Sequence, residues 1–479
     1  MVRVFHILLT SLTIVVCLQT VVSAGQRPNI VFLLADDMNR DTWGVYGNKD
    51  CKTPNIDRLA KEGMTFNRAY CSVAMCAPFR QELYSGRSPW RTRTLANHSK
   101  STADTKSIPH YLKPLGYRVA LTGKSHVGPQ QAYPFEILGE KSGHTNTGFV
   151  ASASQFFDDC SKADTPFCLF IASHDGHAPF TTGDPSQYDK DDLTIPPYWL
   201  DTPVLREKMV QYYAEVSNFD KLVGQIRTAL EQRSLWDNTL FVVCSEQGIQ
   251  FPFAKWTCYD NGLHTGLVMS WPGTIKAGSH ADALISIADI APTLADAAGG
   301  ELKAGDVDGK SFLKTLQGEQ QVLHEYVYGA FTNCNIINNR DRIFPIRSIR
   351  SKDFALIYNP NHKEITSNVT LSGKGSAAAS WRVLQGSSDR ADRLIRKLNH
   401  RPEFEFYHLA EDPYELNNTI NQPKYASVIA KMKKALSAKL ETLKDADPIA
   451  TERSLVKGSK KKNGKSAKGK KPQNTGSAR

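Results

Sequence analysis

Short apolar runs recur along the first 300 residues of the chain. Five of them, each four to six residues long, lie at 30–35, 119–122, 167–172, 240–244 and 267–271. They lack the alternation of apolar and polar positions that is typical of a strand with one solvent-exposed face. The pattern is typical of strands that are buried on both faces of a mostly parallel sheet.

Helical periodicity separates several of these runs. Apolar residues recur at helical spacing over 54–62, 206–232 and 289–298, and Thr53 and Pro54 form a typical helix start. Strands that alternate with helices predict an α/β domain with a doubly wound, mostly parallel sheet flanked by helices. We place this domain at residues 25–320.

The pattern changes after about residue 320. Segments 325–331, 344–359 and 404–409 are typical of antiparallel strands, and 423–445 is typical of a closing helix. We therefore expect a smaller C-terminal α+β subdomain over residues 321–450.

The two ends of the chain differ in composition from the rest. Residues 1–24 combine Arg3, an apolar stretch and a small-residue cleavage site, which predicts a signal peptide, with an uncleaved anchor as the alternative. We expect an exported protein in a secreted, periplasmic or lysosomal-type lumenal compartment, with no stable membrane span. Nucleic acid is an unlikely partner for such a protein.

Most of the net charge of +11 lies near the C-terminus, where residues 457–479 hold eight Lys, one Arg and no acid. The lack of apolar residues predicts a disordered basic tail over 451–479. It would act as a solubility segment or as an electrostatic tether to a polyanion such as a sulfated glycan. The nine cysteines are irregularly spaced without a CxxC pair, which excludes a disulfide scaffold or a zinc cluster.

Polar residues follow four of the predicted strands directly. Any one such cluster could be ordinary loop solvation, but in open α/β sheets ligands bind at the carboxyl ends of the strands, where four clusters can converge. The residues that could form a site there are Asp36, Asp37, Lys124, His126, His177, Glu246 and Gln247.

These residues combine two kinds of chemistry. The oxygen ligands of Asp36, Asp37, Glu246 and Gln247 suit calcium or magnesium, and adjacent carboxylates would repel each other without a cation. The cationic donors are Lys124, His126, His177 and Lys255. A metal beside cationic donors predicts a site for a tetrahedral oxyanion such as sulfate or phosphate.

A cysteine opens a predicted helix at residues 76–80, which read Cys-Ala-Pro-Phe-Arg. Pro78 suits a first helical turn, and free backbone N–H groups at a helix start favour anions. A structural cysteine is the alternative. The C-x-P-x-R motif of Cys76, Pro78 and Arg80 resembles that of the formylglycine sulfatases of the alkaline phosphatase superfamily. Further similar segments in the same order lie at 33–37, 53–66, 83–87, 116–126 and 406–418.

The resemblance implies a role for each matching residue. Cys76 would be oxidised to formylglycine by a formylglycine-generating enzyme and would also contact the metal. Arg80 would stabilise it, and His126 would be the base that collapses a sulfated intermediate. Implied metal ligands are Asp36, Asp37, Glu246 and Gln247, and implied sulfate-binding residues are Lys124, His177 and Lys255.

The implied mechanism uses an aldehyde hydrate. One hydroxyl attacks sulfur and the second, once deprotonated, expels sulfate. In this chain Glu246 and Gln247 replace the usual Asp with Asn or His, and each side chain is one methylene longer. Calcium tolerates irregular geometry better than magnesium, so we expect a calcium site.

Segments 123–136, 248–253 and 344–359 are most similar to the heparan N-sulfatases (N-sulfoglucosamine sulfohydrolases) within this family. The similarity implies a sulfated carbohydrate as substrate, with N-sulfoglucosamine favoured. Arg347 is a candidate for contact with a carboxylate or sulfate of the substrate, or else a strand residue in a surface ion pair. His174 and Asp175 are candidate acids near the leaving atom, or else structural loop residues.

Three alternatives stay open on the sequence. The enzyme could be an O-sulfatase on another sulfated polysaccharide, or a phosphatase or phosphonate monoester hydrolase of the same superfamily. The chain could also be an inactive glycan-binding protein, although binding needs no modifiable cysteine.

Overall fold

The computed structural model describes residues 27–139, 145–303, 305–320, 322–333, 343–366, 368–372 and 375–456. The predicted signal peptide, residues 457–479 and Cys334 lie outside these ranges. Within them, no helix has the length and apolar character needed to cross a membrane. The seven cysteines in the described ranges are buried and form no disulfide.

Strands are present in both halves of the chain. In order they are β1 (Asn29–Ala35), β2 (Met64–Phe66), β3 (Ala69–Tyr70), β4 (Arg118–Gly123), β5 (Glu136–Leu138), β6 (Phe167–Ala172), β7 (Thr239–Ser245), β8 (His264–Thr265), β9 (Leu267–Ser270), β10 (Ser279–Ala281), β11 (Ile285–Ser286), β12 (Val327–Phe331), β13 (Ile346–Arg350), β14 (Phe354–Tyr358) and β15 (Phe404–His408).

Helices connect and cover these strands. In order they are α1 (Pro54–Glu62), α2 (Cys76–Ser85), α3 (Pro89–Thr92), α4 (Ile108–Leu112), α5 (Asn146–Lys162), α6 (Pro203–Glu231), α7 (Asp260–Leu263), α8 (Ile290–Ala297), α9 (Leu313–Leu316), α10 (Val369–Ser372), α11 (Ala377–Trp381), α12 (Asp389–Asn399) and α13 (Ala426–Thr442).

The large sheet has eight strands in the order β10-β2-β9-β7-β1-β6-β4-β5. The predicted mostly parallel α/β sheet is confirmed, with one difference in direction. β9, which the apolar pattern placed among the parallel strands, is antiparallel to both β2 and β7. The chain leaves β7 and enters β9 at the same end of these strands. Neighbouring strands connected in this way run antiparallel.

Helices cover both faces of this sheet. β1, β6 and β7 are buried at every position, as expected for strands with no wet face. α6 packs against α1 and α5, and α8 packs against α2 and α4. A second, small sheet has the order β11-β3-β8.

One helix start differs from its prediction. Thr53 precedes α1, but its side chain accepts a hydrogen bond from the Gly44 N–H (2.8 Å) instead of capping the helix. The free N–H groups of Asn55 and Ile56 donate to the Asp220 carboxylate of α6, at 3.0 and 2.8 Å. The cap is therefore supplied by a distant helix.

The register of the central strands brings the predicted polar residues together. β1 lies between β6 and β7, with Leu34 opposite Ala172 and Ala35 opposite Ser245. Gly123 of β4 also pairs with Ala172. Because all four strands are parallel, the residues that follow them meet at one edge, where the strand order reverses about β1.

The C-terminal subdomain is an antiparallel sheet, β12-β13-β14-β15, with α13 packed against it. Ile349, Leu356 and Phe406 form a separate apolar core with Met432 and Leu436 of α13. The predicted α+β character is confirmed. Residues 451–456, which the prediction assigned to the tail, are helical in the structure, and the Glu452 side chain there is fully buried.

Candidate active site

Cys76 lies at the first position of α2 and is almost fully buried, with 3% of its surface exposed. Its Sγ atom is 3.3 Å from Asp37 Oδ1, 3.3 Å from Gln247 Nε2 and 3.5 Å from Lys255 Nζ. Glu82, on the same helix, accepts a hydrogen bond from the Ser72 N–H at 3.0 Å. The segment that leads into the helix is thus fixed against the helix itself.

The thiol of Cys76 is held in its neutral form. Burial, followed by the charges of Asp36 and Asp37, raises the pKa of Cys76 well above its usual value. A neutral thiol is a weak nucleophile. The unmodified side chain is therefore poorly suited to attack, although it lies among groups that would hold a reacting anion.

Oxygen atoms from two strand ends surround this position. Ligand atoms of Asp36, Asp37, Cys76 and Glu246 all lie within 4.8 Å of one another. Asp36 Oδ1, Glu246 Oε2 and Gln247 Oε1 are buried and make no hydrogen bond within the described residues, whereas Glu246 Oε1 pairs with Arg80. Unsatisfied buried oxygens of this type fit a calcium or magnesium ion. The longer side chains of Glu246 and Gln247 still reach the cluster.

The pKa values of Asp36 and Glu246 shift in opposite directions. Burial and the neighbouring Asp36 raise the pKa of Glu246 well above its usual value. Burial alone would raise the pKa of Asp36 as well, but Lys124 and Arg80 lower it well below its usual value. Two neighbouring buried acids repel each other when both are ionised, and a divalent cation would reduce this repulsion.

Two ammonium groups and one imidazole face these acids. Lys124 Nζ pairs with Asp36, Lys255 Nζ pairs with Asp37, and His177 Nε2 is 3.6 Å from Asp37 Oδ2. The structure thus brings together the residues predicted to hold sulfate. Cationic donors beside a cation site can bind the oxygens of a tetrahedral anion.

Arg80 lies next to the carboxylates of Asp36 and Glu246 and is fully buried. Its guanidinium pairs with Glu246, lies 3.9 Å from Asp36 Oδ1 and donates to the carbonyl of Lys124. It therefore connects α2 to the ends of β1, β4 and β7.

A glycine allows the loop after β6 to approach β1. Gly176 has φ of +97°, and a Cβ atom there would lie 2.2 Å from the carbonyl oxygen of Asp36. Only glycine fits such a contact. The loop that carries His177 is thereby fixed against the strand end that carries Asp36 and Asp37.

His126 lies after β4 with φ of +50°, in the left-handed region. Burial, then the charges of Lys124 and Arg80, lowers the pKa of His126 to about 3. Its Nε2 is 2.8 Å from Nδ1 of His98. His98 was not predicted from the sequence, because the segment around it matches no motif and its contact arises only when the loop between α3 and α4 folds back.

Two predicted site residues have structural surroundings instead. Arg347 is fully buried, its Nη2 is 3.1 Å from Asp445 Oδ1, and its Nη1 donates to the carbonyls of Phe331 and Ile346. Four of its five N–H donors form hydrogen bonds within the protein, which favours the ion-pair alternative, although the pair is buried and not at the surface. Contact with the substrate stays a prediction. Asp175 accepts hydrogen bonds from Ser173, Thr182 and Asn218, which makes it a loop residue.

Comparison with known proteins identifies the family. The family model described as sulfatase matches residues 28–300, and the model described as N-sulphoglucosamine sulphohydrolase, C-terminal, matches residues 248–368. An ulvan-active sulfatase of Formosa agariphila is 34% identical over 416 residues, which cover 85% of this chain and 79% of that protein. The N-sulphoglucosamine sulphohydrolase of Homo sapiens is 26% identical over 460 residues, covering 86% and 89%.

Solved structures agree on the fold. A protein in complex with its substrate D-glucosamine-2-N,6-O-disulfate superposes with a TM-score of 0.67 at 20% identity, covering 88% of this chain and 99% of that one. A phosphonate monoester hydrolase of Agrobacterium radiobacter superposes with a TM-score of 0.67 at 19% identity, covering 87% and 95%. The chain belongs to the sulfatase family of the alkaline phosphatase superfamily and is a sulfuric ester hydrolase.

Proposed function

We propose that this enzyme removes sulfate from sulfated sugars with a formylglycine derived from Cys76 and a divalent cation held by Asp36, Asp37, Glu246 and Gln247. One observation carries the proposal. The Sγ atom of Cys76 lies within 3.5 Å of Asp37, Gln247 and Lys255, next to buried oxygens that make no hydrogen bond in the part of the chain that the structure describes.

The modified residue would supply two hydroxyls on one carbon, one to attack sulfur and one to expel sulfate, and the cation would favour ionisation of the first. The chain's own residues do the rest. Lys124, His177 and Lys255 bind the sulfate oxygens and stabilise the charge that develops on them. Arg80 orients the acids, and burial of the site excludes bulk water.

Calcium is the cation that these ligands favour. Calcium accepts six to eight oxygens in flexible geometry, whereas magnesium needs a near-ideal octahedron. Glu246 and Gln247 have one more rotatable bond than the shorter pair usual in the family, which gives the site a less rigid ligand set.

N-sulfoglucosamine in a glycan is the favoured substrate. The support is the match of residues 248–368 to the N-sulphoglucosamine sulphohydrolase C-terminal model and the similarity to the human enzyme of that name. The second candidate is an O-sulfated polysaccharide, since the Formosa agariphila relative at 34% identity is described as ulvan-active. The sulfate-binding residues meet the same oxygens in either case, so contacts to the sugar must separate the two.

The nucleophile is tested by mass spectrometry of the peptide that contains position 76. We expect conversion of the thiol to an aldehyde, seen as a lower mass and reaction with a hydrazide probe. Active enzyme that contains only the free thiol would disprove the proposal. Cys76→Ala, as the matched variant, should fold normally and show no turnover.

The substrate is tested with defined heparin disaccharides that carry a single N-, 2-O- or 6-O-sulfate, with ulvan fragments and aryl phosphate in parallel. We expect free sulfate from the N-sulfated sugar. Release only from O-sulfated sugars would support the second candidate. Faster cleavage of the phosphate ester would support a phosphatase, and no release from any of them would favour a binding protein.

We also propose that the chain is exported through the segment 1–24 and that a formylglycine-generating enzyme matures it on the way. The proposal rests on the composition of that segment and on the C-x-P-x-R motif. N-terminal sequencing of the purified protein should begin near residue 25, and an intact N-terminus would contradict cleavage.

A further inference from the structure

His98 and His126 form a directly hydrogen-bonded pair at the edge of the active site. Nδ1 of His98 is 2.8 Å from Nε2 of His126, and the ring centroids are 4.9 Å apart. His98 is exposed, whereas His126 is largely covered. Both residues have positive φ, +56° and +50°, a backbone region that non-glycine residues occupy at a cost and that is common at functional sites.

The loop that carries His98 is held in place by the helix of the nucleophile. Gln81 of α2, fully buried, donates from Nε2 to the Ser99 carbonyl (2.9 Å) and accepts from the Ser101 N–H (2.8 Å). The same Ser101 N–H is 3.0 Å from the carbonyl of Gly128, in the loop of His126. The two histidine loops are therefore fixed to each other and to α2.

Asn97 determines which nitrogens of the pair carry protons. Its Oδ1 accepts from the His98 N–H (3.1 Å), so the atom 3.2 Å from His98 Nε2 is the amide nitrogen. An amide nitrogen only donates, which leaves His98 Nε2 as an acceptor and Nδ1 as the protonated atom. His98 then donates to His126 Nε2, and the proton of neutral His126 lies on Nδ1. That atom is buried and has no hydrogen-bond partner within the described residues.

We propose that His98 is a positioning residue for His126, and that the two rings form a path for protons between the buried active site and solvent. The inference rests on the proposed function. Hydrolysis of a sulfate ester or sulfamate through the aldehyde hydrate requires one proton delivered to the leaving atom and one removed from the hydroxyl that expels sulfate. The pair serves both steps.

Delivery of a proton to the active site takes three transfers along the pair. The Nδ1–H bond of His126 breaks as the proton passes to the reacting atom, and an Nε2–H bond forms with the proton that leaves Nδ1 of His98. His98 takes a solvent proton at Nε2, a step in which the hydrogen bond from the Asn97 amide to this atom opens. Both rings change tautomer and neither changes charge, and the removal step runs the same transfers in reverse.

Burial and the surrounding charges explain why His126 needs a partner to which it can pass a proton. Burial, Lys124, Arg80 and His98 all lower the pKa of His126, and Asp36 only partly offsets them. Burial, Lys255, Lys124 and His177 lower the pKa of His98. A charged imidazolium is therefore unfavourable at His126, and a proton that it accepts on one nitrogen must leave from the other.

The test compares His98→Ala and His98→Gln with His280→Gln, a control at an exposed histidine of β10. We expect each His98 variant to lower kcat by about 10- to 100-fold, the range for partners that orient a functional histidine. KM should change little, and the unfolding temperature should match the control. Free imidazole should restore part of the kcat of His98→Ala. A kcat equal to that of the control, or a loss that imidazole does not restore, would overturn the proton path.

A second readout does not depend on turnover. In ¹⁵N-histidine NMR spectra of unmodified protein, His126 should be protonated at Nδ1 in the parent and a mixture of tautomers in His98→Ala. The same tautomer in both proteins would overturn the positioning role. Should the parent release neither sulfate nor phosphate from any substrate, the proposed function fails, and these spectra still decide whether His98 sets the state of His126.

Discussion

At His126, burial and then the charges of Lys124 and Arg80 lower the pKa of a single side chain. Its pKa falls from 6.5 to about 3 on folding, so the unfolded chain binds more protons than the folded one between these values. The stabilisation is fully present above pH 6.5 and is lost as the pH falls toward 3. We expect His126→Gln to lose less stability than the parent between pH 6.5 and 4.

Urea midpoints measured across this pH range provide the check. His280→Gln, the control at an exposed position, should follow the parent. If His126→Gln shows the same loss of stability on acidification as the parent, the neutral state assigned to His126 is wrong.

A second residue-scale prediction concerns the cation. Asp37 lies at the centre of the buried cluster, in contact with Cys76, Gln247 and Lys255. Asp37→Ala should lower the metal content of the purified protein from about one divalent ion to near zero. A hard cation that is bound by few carboxylates loses most of its affinity when one of them is removed. Elemental analysis measures this directly. Asp282→Ala, at an exposed ion pair with Arg68, is the control and should retain the ion; active protein without any divalent cation would refute the site.

At the scale of elements, a buried ion pair joins β13 to the chain after α13. The side chains of Arg347 and Asp445 are 0% and 1% exposed, and Trp90 Nε1 also donates to Asp445 at 2.7 Å. Removing one partner leaves a buried charge unpaired, which costs about 3–5 kcal/mol. We expect Arg347→Met and Asp445→Leu each to lose stability of this order, and the double variant to lose less than the sum of the two.

Denaturant unfolding of the four proteins gives the coupling between the two residues. Turnover per folded molecule should stay near the parent value in Arg347→Met, because the guanidinium lies outside the active site. A selective rise in KM with unchanged stability would instead restore a substrate role for Arg347.

For the whole molecule, charge is distributed unevenly along the chain. Residues 457–479 hold eight Lys and one Arg, so their removal changes the net charge from +11 to about +2. We expect a chain that ends at residue 456 to keep its unfolding temperature and its kcat on a disaccharide, but to elute from heparin at lower salt. Replacement of the eight lysines by glutamine, at full length, should have the same effect, since screened charge attraction is the cause. Unchanged elution would show that the tail does not bind polyanions.

The sequence by itself determined the buried strands at the centre of the large sheet and the polar residues that follow them. Buried strands such as β1 and β6 were predicted from unbroken apolar runs, because burial of both faces leaves no wet position. The polar residues at their ends, including Asp36 and Lys124, were predicted to converge because parallel strands end at one edge of a sheet. These are local patterns joined by one topological rule.

Only the tertiary structure decided contacts between residues far apart in the chain. The direction of β9, the cap that Asp220 supplies to α1 and the pairing of Arg347 with Asp445, 98 positions away, leave no local signal. His98 reaches His126 only because Gln81 and Gly128 hold both loops. The periodicity of apolar residues indicates which face of a helix or strand is buried. The partner of a buried charge or imidazole depends instead on how the helices and strands pack against one another.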